Sequence, residues 1–439
     1  MTEVMPLILF IMLFILLLMG YPVAFTLGGV SILLGMMTFG TNFFNLLPLR
    51  IWGVMTNYVL MAVPLFVYMG VMLEKSGLAE EMLETMAMLF GRLRGGLAVS
   101  VILVGALLGA STGIVGATVV TMGLLSLPTM LRRGYSPEVA TGTIAAAGTL
   151  GQIIPPSVVL VLLGSILNVS IGDMFIGAVI PSAILVGLYM LWIFVVSIIK
   201  PDESPAMPPE DLAEFRKSGM LNKVVQAFVL PFGLVIVVLG SIFAGIASPT
   251  EAAAVGALGA TFLTIFQRKF SFKTLEAVMT ETTHITCMVF FVLVGAEAFG
   301  LVFRGMRGDA YMANMITNAD LDPYAFLALV MVMIFIAGFF IDFIQITYII
   351  VPVVAPIFIA FDMNLLWLGI LIAMNLQTSF LTPPFGFSLF YLKGVAPPEI
   401  QTKHIYKGII PFIVIQLICL GLLVTYPEMA TWLPAYLVE

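Results

Sequence analysis

Charged residues are scarce in this sequence. Only 10% of the 439 residues are Asp, Glu, Lys or Arg, whereas 61% are hydrophobic and the mean hydropathy is +1.15. An ordinary soluble domain carries about a quarter charged residues, so this chain could not cover itself with a water-compatible surface. Basic residues are fewer than acidic ones, 18 against 24, which leaves no face for a nucleic acid. The composition predicts an all-α polytopic membrane protein and excludes a soluble enzyme.

Cysteine, histidine and nucleotide-binding motifs are equally scarce. Cys287 and Cys419 lie in separate apolar runs without disulfide or metal-ligand spacing, so we expect two small buried side chains. The sequence contains no H-E-x-x-H zinc motif and no P-loop, which excludes ATP-driven transport within this chain and predicts no organic cofactor. No basic stretch precedes the first apolar run, so we expect the first span to be retained rather than cleaved.

A long uncharged stretch lies between Arg94 and Arg132. It is too long for one membrane span and short for two spans with a turn, so it predicts a re-entrant helical hairpin at about 95–131. Basic residues flank both ends of the hairpin, at Arg92, Arg94, Arg132 and Arg133. The positive-inside tendency therefore places both ends on the cytoplasmic side.

A broken helix follows the hairpin, at about 137–170. Ser136 is a predicted N-cap with proline after it, and the helix is interrupted at Gly151-Gln152-Ile153-Ile154-Pro155-Pro156-Ser157. Two adjacent prolines remove two backbone donors and clash with the preceding turn, so the helix must unwind at membrane depth. The hydrophilic segment 201–223 is predicted to be a cytoplasmic linker between the two halves.

The second half repeats this pattern at an offset of 228 residues. The offset superposes Pro128 on Pro356, Pro155-Pro156 on Pro383-Pro384 and Gly151 on Ser379. It predicts a second hairpin at about 323–360 and a second broken helix at about 364–392. Acidic residues, Asp320, Asp322 and Asp362, replace the flanking arginines and indicate that the second copy is inverted. Inverted repeats with broken helices are typical of secondary transporters.

The breaks supply candidate ligands. Unwound backbone at membrane depth leaves carbonyl oxygens free, and these are suitable ligands for Na⁺. The candidate sodium ligands are Ser111, Thr112, Gly151, Ile154, Pro156, Gly338, Ser379, Thr382 and Phe385. Half-helix N-termini suit an anionic substrate. The polar side chains placed to join such a site are Ser111, Ser157, Asn375, Gln377 and Thr382.

Asp342 interrupts the second hairpin at the position where the first has Ile114. A carboxylate near the bilayer centre is costly, which favours a role in substrate or cation binding over a structural ion pair. Glu297 is the competing acid, with an interfacial or helix-pairing role as its alternative. Arg304 and Arg307 are expected to be interfacial anchors.

Glycines and a serine at the first hairpin tip allow other interpretations. Gly105, Gly109 and Gly113 form a small-xxx-small pattern, which is typical of close helix packing. The tip, residues 109–113, also matches G-x-S-x-G, the pattern of a hydrolase that would use Ser111 as its nucleophile. An intramembrane hydrolase is a remote alternative, because His284 lies at a span end and His404 in a basic loop, away from a triad position.

The motifs around both double prolines identify a resemblance. Gly148-Thr149-Leu150-Gly151 with Ile153-Ile154-Pro155-Pro156-Ser157, Arg132-Arg133-Gly134-Tyr135, and Leu381-Thr382-Pro383-Pro384-Phe385-Gly386 resemble the large membrane subunit of TRAP (tripartite ATP-independent periplasmic) transporters. The resemblance extends along essentially the whole chain. It implies an elevator-type fold, in which a transport domain of two hairpins and two broken helices moves against a scaffold.

The resemblance also implies function, partners and location. It implies Na⁺-coupled uptake of organic acids, such as C4-dicarboxylates or sugar acids, across the bacterial inner membrane. Its implied partners are a periplasmic substrate-binding protein and a small four-helix membrane subunit. Carried over by motif, one Na⁺ site falls on Ser111, Thr112, Gly151, Ile154 and Pro156, and another on Gly338, Ser379, Thr382 and Phe385. Substrate contacts fall on Ser111, Ser157, Asp342 and Asn375.

These interpretations divide the chain into six parts. Residues 1–57 form N-terminal scaffold helices and an interfacial arm, 58–200 the first repeat, 201–223 the linker, 224–284 central scaffold helices, 285–407 the second repeat and 408–439 a C-terminal helix. The principal alternative to a tripartite importer is an ion-coupled anion or dicarboxylate carrier that works alone.

Overall fold

The computed structural model describes residues 4–113, 115–217, 219–312 and 322–438, except for the side chains of Ser111, Thr112 and Val438. Within these ranges, helices are the only regular secondary structure. In the described part of the chain, seven helices are long and apolar enough to cross a membrane, or eight if one bent pair is counted as a span. The prediction of an all-α polytopic membrane protein is therefore confirmed. Ile114 and Asp320, which entered the repeat comparison, lie outside the described residues.

The N-terminal part packs against the long central helix of the second half. It comprises the helices α1 Met5–Leu18, α2 Val23–Phe39, α3 Leu47–Met55 and α4 Ala62–Lys75. Gly20 turns the chain with a φ of 85°, and Pro22 precedes α2. A 3₁₀ helix, Thr41–Leu46, leads directly into the short helix α3.

Helix α5, Leu78–Phe90, is amphipathic. Its apolar side is buried at Met82 and Met86, whereas the carboxylate of Glu81 pairs with Lys269 at 2.7 Å. Lys269 also donates to the Gly77 carbonyl at 3.0 Å. The charged side of α5 is thus anchored to the central part of the chain.

The first half continues as the predicted hairpin and broken helix. These segments comprise α6 Gly96–Thr112, α7 Val115–Arg132, α8 Pro137–Thr149, α9 Val158–Leu167 and α10 Ile171–Ile199. Gly113 reverses the chain between α6 and α7 with a φ of 65°. Ser136 caps α8 as predicted, because its hydroxyl accepts the backbone N–H of Val139 at 3.3 Å.

The hydrophilic segment after α10 contacts the two ends of the first hairpin, which lie opposite its tip. It contains α11, Pro209–Lys217, and the start of α12, Met220–Val224. Backbone N–H groups of Gly95 and Ser136 donate to carbonyls of Ser204 and Glu203 at 2.9 and 3.0 Å. These contacts attach the segment to the helices that it follows.

The central part consists of long helices. A π-helical turn, Val225–Val229, links α12 to α13, Leu230–Phe243, in one apolar unit. The helix α14, Pro249–Phe266, opens with a capping box formed by Ser248 and Glu251. It is followed by α15, Phe272–Gly305, which packs along α2 and α4.

The second half contains the other hairpin and the other broken helix. These segments comprise α16 Pro323–Ala337, α17 Phe343–Ile349, α18 Val351–Ala360, α19 Leu365–Leu381 and α20 Phe387–Val395. A bend of 50° separates α17 from α18, where Pro352 lies at the start of α18. The chain ends in α21, Thr402–Thr425, and α22, Glu428–Val438.

The prediction for the two cysteines is half right. Cys419 is buried, but Cys287 is exposed on α15. The expectation for Cys287 was wrong because apolar residues of a membrane helix also face lipid, so an apolar run does not by itself indicate burial in protein.

Candidate functional site

The tip of the first hairpin lies directly against the first helix break. A Cβ atom built on Gly109 would lie 2.8 Å from Gly151 Cα, and one built on Gly151 would overlap the Gly109 carbonyl. Deeper in the hairpin, Gly105 faces Ala147 in the same way. Glycine is therefore required on both sides for the backbones to touch. The small-residue pattern of α6 is a packing surface, and the surface that it packs against is the break.

The first break leaves several carbonyls unused. After α8, one 3₁₀ turn over Leu150–Gln152 leads into Pro155-Pro156, whose peptide bond is cis, and α9 begins at Val158. Within the described residues, no hydrogen bond reaches the carbonyls of Gly151, Ile154 or Pro156. The backbone oxygens of three predicted sodium ligands are thus not used by any described residue. Ser157 is buried and donates its hydroxyl to the Gln152 carbonyl at 2.7 Å, which leaves its oxygen lone pairs available.

The second hairpin meets the second break in a related way. A Cβ on Gly338 would overlap the Ser379 hydroxyl and lie 2.9 Å from Ser379 Cβ. That hydroxyl donates to the Phe335 carbonyl at 2.7 Å, which ties α19 to α16. The Pro383-Pro384 bond is cis, and α20 begins at Phe387.

Backbone oxygens are available at this second break too. The carbonyls of Gly338 and Phe385 accept no hydrogen bond from any described residue, and those of Ser379 and Thr382 accept one each. Thr382 Oγ1 donates to the Thr378 carbonyl at 2.7 Å, so its lone pairs point away from that bond. The four predicted ligands of the second sodium site therefore lie together around one hairpin tip and one break.

Asp342 caps a helix. It is half-buried at the N-terminus of α17 and forms a capping box with Gln345, whose side-chain oxygen accepts the Asp342 backbone N–H at 2.9 Å. Among the described residues it forms no ion pair. The predicted role in binding stays a prediction.

The polar residues of α19 face the neighbouring helices. Asn375 is buried, and its amide nitrogen donates to the Met331 carbonyl at 2.7 Å. Gln377 Nε2 lies 3.5 Å from Thr149 Oγ1, and its Oε1 has no partner among the described residues. The predicted substrate contact at Asn375 stays a prediction, with its nitrogen already engaged. Ser111 and Thr112 end α6 beside the break, but their side chains lie outside the described part.

Sequence reasoning missed Gln152. Its side chain is fully buried in the first break, and neither amide atom has a hydrogen-bond partner among the described residues. Buried amides are normally bonded, so this one is a candidate contact for a water molecule or a ligand. The sequence did contain a signal for Gln152, because it is the one amide side chain inside the G-Q-I-I-P-P-S motif.

A cavity of about 440 Å³ borders the second hairpin. Its walls come from α3, α9, α15, α17 and α18. Its charged lining residues are Arg50, Glu297, Arg304 and Asp309. Two guanidinium groups in one cavity can attract and orient a carboxylate. Arg304 and Glu297, treated separately in the sequence, thus share a site with Arg50, which the sequence did not single out.

Comparisons with known proteins agree with this architecture. In overall fold the chain is similar to the Alcanivorax borkumensis YdaH transporter, with a TM-score of 0.64 at 14% identity, covering 96% of this chain and 98% of that one. It is also similar to Neisseria gonorrhoeae MtrF, whose structure is described as illuminating a class of antimetabolite efflux pumps. That match has a TM-score of 0.55 at 13% identity and covers 89% of this chain and 85% of MtrF.

Sequence relatives are more specific. The chain is 31% identical over 410 residues to the C4-dicarboxylate TRAP transporter large permease protein DctM of Pseudomonas aeruginosa, covering 93% of this chain and 94% of that protein. It is 28% identical to the sialic acid TRAP transporter large permease protein SiaM of Vibrio cholerae, covering 94% and 95%. It is also 28% identical to the ectoine TRAP transporter large permease protein TeaC of Halomonas elongata, covering 95% and 96%.

The family model gives the same result for nearly the full chain. Residues 10–429 match the tripartite ATP-independent periplasmic transporter, DctM component. The relatives are permeases and not enzymes, so the hydrolase alternative is set aside. The chain belongs to the DctM family and is the large membrane subunit of a TRAP transporter.

Proposed function

We propose that this subunit imports an organic acid together with Na⁺ across the bacterial inner membrane. The observation that carries the proposal is the same arrangement at two places: a helix break with unbonded carbonyls, closed by a hairpin tip. Gly109 against Gly151 forms the first contact, and Gly338 against Ser379 the second.

The donor set at each break fits Na⁺. Hard cations favour oxygen ligands, and free carbonyls at membrane depth otherwise cost several kcal/mol each. In this proposal Gly151, Ile154 and Pro156 hold one ion with the α6 tip at Ser111 and Thr112. Gly338, Ser379, Thr382 and Phe385 hold the other. When bound, the ion supplies positive charge that ties a hairpin to its broken helix and attracts a carboxylate substrate.

Cross-packing between the halves supports an inverted repeat that moves as one body. Helix α7 packs against α20, where Gly116 contacts Tyr391 and Gly123 contacts Val395. The first hairpin therefore packs against the second broken helix. Helix α17 of the second hairpin packs on α9 of the first broken helix in the reciprocal arrangement. Because hairpins and broken helices interlock, we propose that they slide together against the helices around α4, α14 and α15, in an elevator movement.

Arg50 and Arg304 can pair with a substrate carboxylate in the cavity of the second hairpin, where Glu297 and Asp309 balance their charge. Its walls join α3 and α15, which we assign to the scaffold, to α17 and α18 of the second hairpin. Acidic residues, Asp322 and Asp362, flank that hairpin in place of arginines, and we propose that its ends and this cavity face the periplasm. Relatives named for C4-dicarboxylate and sialic acid transport support an organic acid as the cargo.

The proposed assembly includes two partners, a small four-helix membrane subunit and a periplasmic substrate-binding protein. Reconstitution tests the whole proposal. The chain and its small partner are placed in proteoliposomes, with a labelled C4-dicarboxylate or sialic acid outside and an inward Na⁺ gradient. We expect uptake only when a cognate binding protein is added and not when K⁺ replaces Na⁺.

Two results would contradict parts of this proposal. Uptake without any binding protein would favour the carrier that works alone. Uptake with binding protein but in K⁺ would remove Na⁺ coupling while leaving the tripartite assembly intact.

A further inference from the structure

Another cavity lies between the start of α8, the end of α10 and the first part of α21, away from both hairpin tips. Its volume is about 380 Å³. Its charged lining residues are two glutamates and two lysines, Glu138, Glu203, Lys200 and Lys407. Much of the remaining wall is apolar and includes Trp192 and Phe412.

This cavity lies at a membrane boundary. Helix α10 is apolar up to Ile199, which is 71% exposed, and the charged Lys200 follows it directly. Trp192 lies two turns before that end, at the depth where tryptophan rings favour the interface. Basic residues lie at the end of α7, Arg132 and Arg133, and at the start of α21, Lys403 and Lys407. By the positive-inside tendency we assign the cavity to the level where the acyl region meets the headgroups of the cytoplasmic leaflet.

The four charged groups of the cavity differ in their ion pairing with the described residues. Lys200 Nζ is already paired with Glu203 Oε1 at 2.8 Å. Glu138 and Lys407 form no ion pair with any residue that the structure describes.

A tight helix crossing keeps these two groups on adjacent walls. Helices α8 and α21 cross closely enough that a Cβ on Gly142 would lie 3.0 Å from Gly408 Cα. Gly408 also touches the Glu138 carbonyl, and Lys407 directly precedes it. The crossing therefore brings the backbones of Glu138 and Lys407 close together, and both residues line the cavity.

We propose that this cavity binds the headgroup of phosphatidylethanolamine. In this arrangement Lys407 pairs with the lipid phosphate, Glu138 accepts hydrogen bonds from the primary ammonium, and the apolar wall contacts the acyl chains. An anionic headgroup would bring its charge beside two carboxylates. A choline headgroup has no N–H to donate to Glu138. The charge pattern thus selects a zwitterion with a primary ammonium, independently of the transport function.

Native mass spectrometry of the full-length protein, purified in detergent and stripped of lipid, tests this proposal. Phosphatidylethanolamine, phosphatidylcholine and phosphatidylglycerol with identical acyl chains are titrated separately. We expect phosphatidylethanolamine to bind most tightly. Lys407→Gln and Glu138→Gln should each weaken its binding about tenfold, the value of one charge-assisted hydrogen bond. Glu138→Gln should also reduce the preference over phosphatidylcholine.

Lys403→Gln is the matched control, because Lys403 lies one turn earlier on α21 and does not line the cavity. Its lipid affinity should equal that of the unmodified protein, and thermal unfolding verifies that all three variants fold. Equal binding of the three lipids, tighter binding of phosphatidylglycerol, or unchanged affinity in Lys407→Gln would overturn the proposal. Glycerophosphoethanolamine that binds as tightly as the intact lipid would identify a soluble ligand instead and would also overturn it.

Discussion

The Ser379 hydroxyl occupies the space where a side chain on Gly338 would begin. Ser379 Oγ also donates to the carbonyl of Phe335, which lies one turn before Gly338 in α16. The contact between Ser379 and Gly338 is therefore tight and directional. The second hairpin and the second broken helix can meet at this point only because residue 338 has no Cβ. This contact is the centre of the proposed second sodium site.

Gly338→Ala should separate the hairpin from the break. The backbone at residue 338 has an ordinary helical φ of −66°, so alanine adds no backbone strain and its effect comes from the clash with Ser379. We expect a loss of stability of roughly 1–3 kcal/mol and a higher Na⁺ concentration for half-maximal thermal stabilisation. Gly394→Ala, on open space in α20, is the control and should change neither quantity.

Thr382→Ala should weaken Na⁺ binding at the second site. The hydroxyl donates to the Thr378 carbonyl and offers its lone pairs to a cation, so Thr382→Ser should retain the affinity that alanine loses. The measurement is the Na⁺ concentration that gives half-maximal uptake. Thr38 is the control, because its hydroxyl also donates to the carbonyl four residues earlier, that of Leu34 in α2, at 2.7 Å. Thr38→Ala should leave the Na⁺ dependence of uptake unchanged. An equal shift in both alanine variants would remove Thr382 from the ligand set.

Asp342→Asn separates the charge of this residue from its capping role. Asparagine caps helices about as well as aspartate, so α17 and the unfolding temperature should be retained. We expect uptake to fall about tenfold if the carboxylate contacts substrate or cation, since a charge-assisted bond is lost. Asp322 caps α16 in a similar way, accepting the Tyr324 N–H at 3.0 Å, and Asp322→Asn should transport normally. Normal uptake by Asp342→Asn would reduce Asp342 to a helix cap.

Thr121 and Glu74 form a hydrogen bond between the first hairpin and α4. Thr121 Oγ1 donates to Glu74 Oε1 at 2.8 Å, while Glu74 Oε2 is buried without a partner among the described residues. Lys75 lies 3.9 Å from Oε1 but is paired more closely with Glu281, at 2.9 Å.

Thr121→Val should therefore cost roughly 1–3 kcal/mol, because it removes the hydroxyl donor from a buried carboxylate. Thr121→Ser should preserve the unfolding temperature measured in detergent. The same transition temperature in both variants would show that the bond contributes nothing to stability.

Much of the architecture was predictable because membrane helices follow local rules. The amphipathic helix at Leu78–Phe90, the Ser136 cap and the turn at the first hairpin tip follow from periodicity, capping residues and the lack of charge between Arg94 and Arg132. Two double prolines cannot continue a helix, so both breaks were visible in the sequence.

Other features depend on neighbours that are distant in sequence. Asp342 was expected to bind a ligand or an ion partner, but its observed bond is to Gln345, and only the start of a new helix at Phe343 makes that bond available. Cys287 faces outward because α15 presents one side to other helices and the opposite side to its surroundings.

The sequence by itself determined that the chain is a membrane protein, that two of its helices are interrupted and that glycines surround the first interruption. Tertiary structure alone decided which groups meet: Gly109 with Gly151, Gly338 with Ser379, and Arg50 with Arg304 around one cavity. The reason is physical, since apolarity and proline act on the local backbone, whereas a binding site depends on distances between residues that the helix packing brings together.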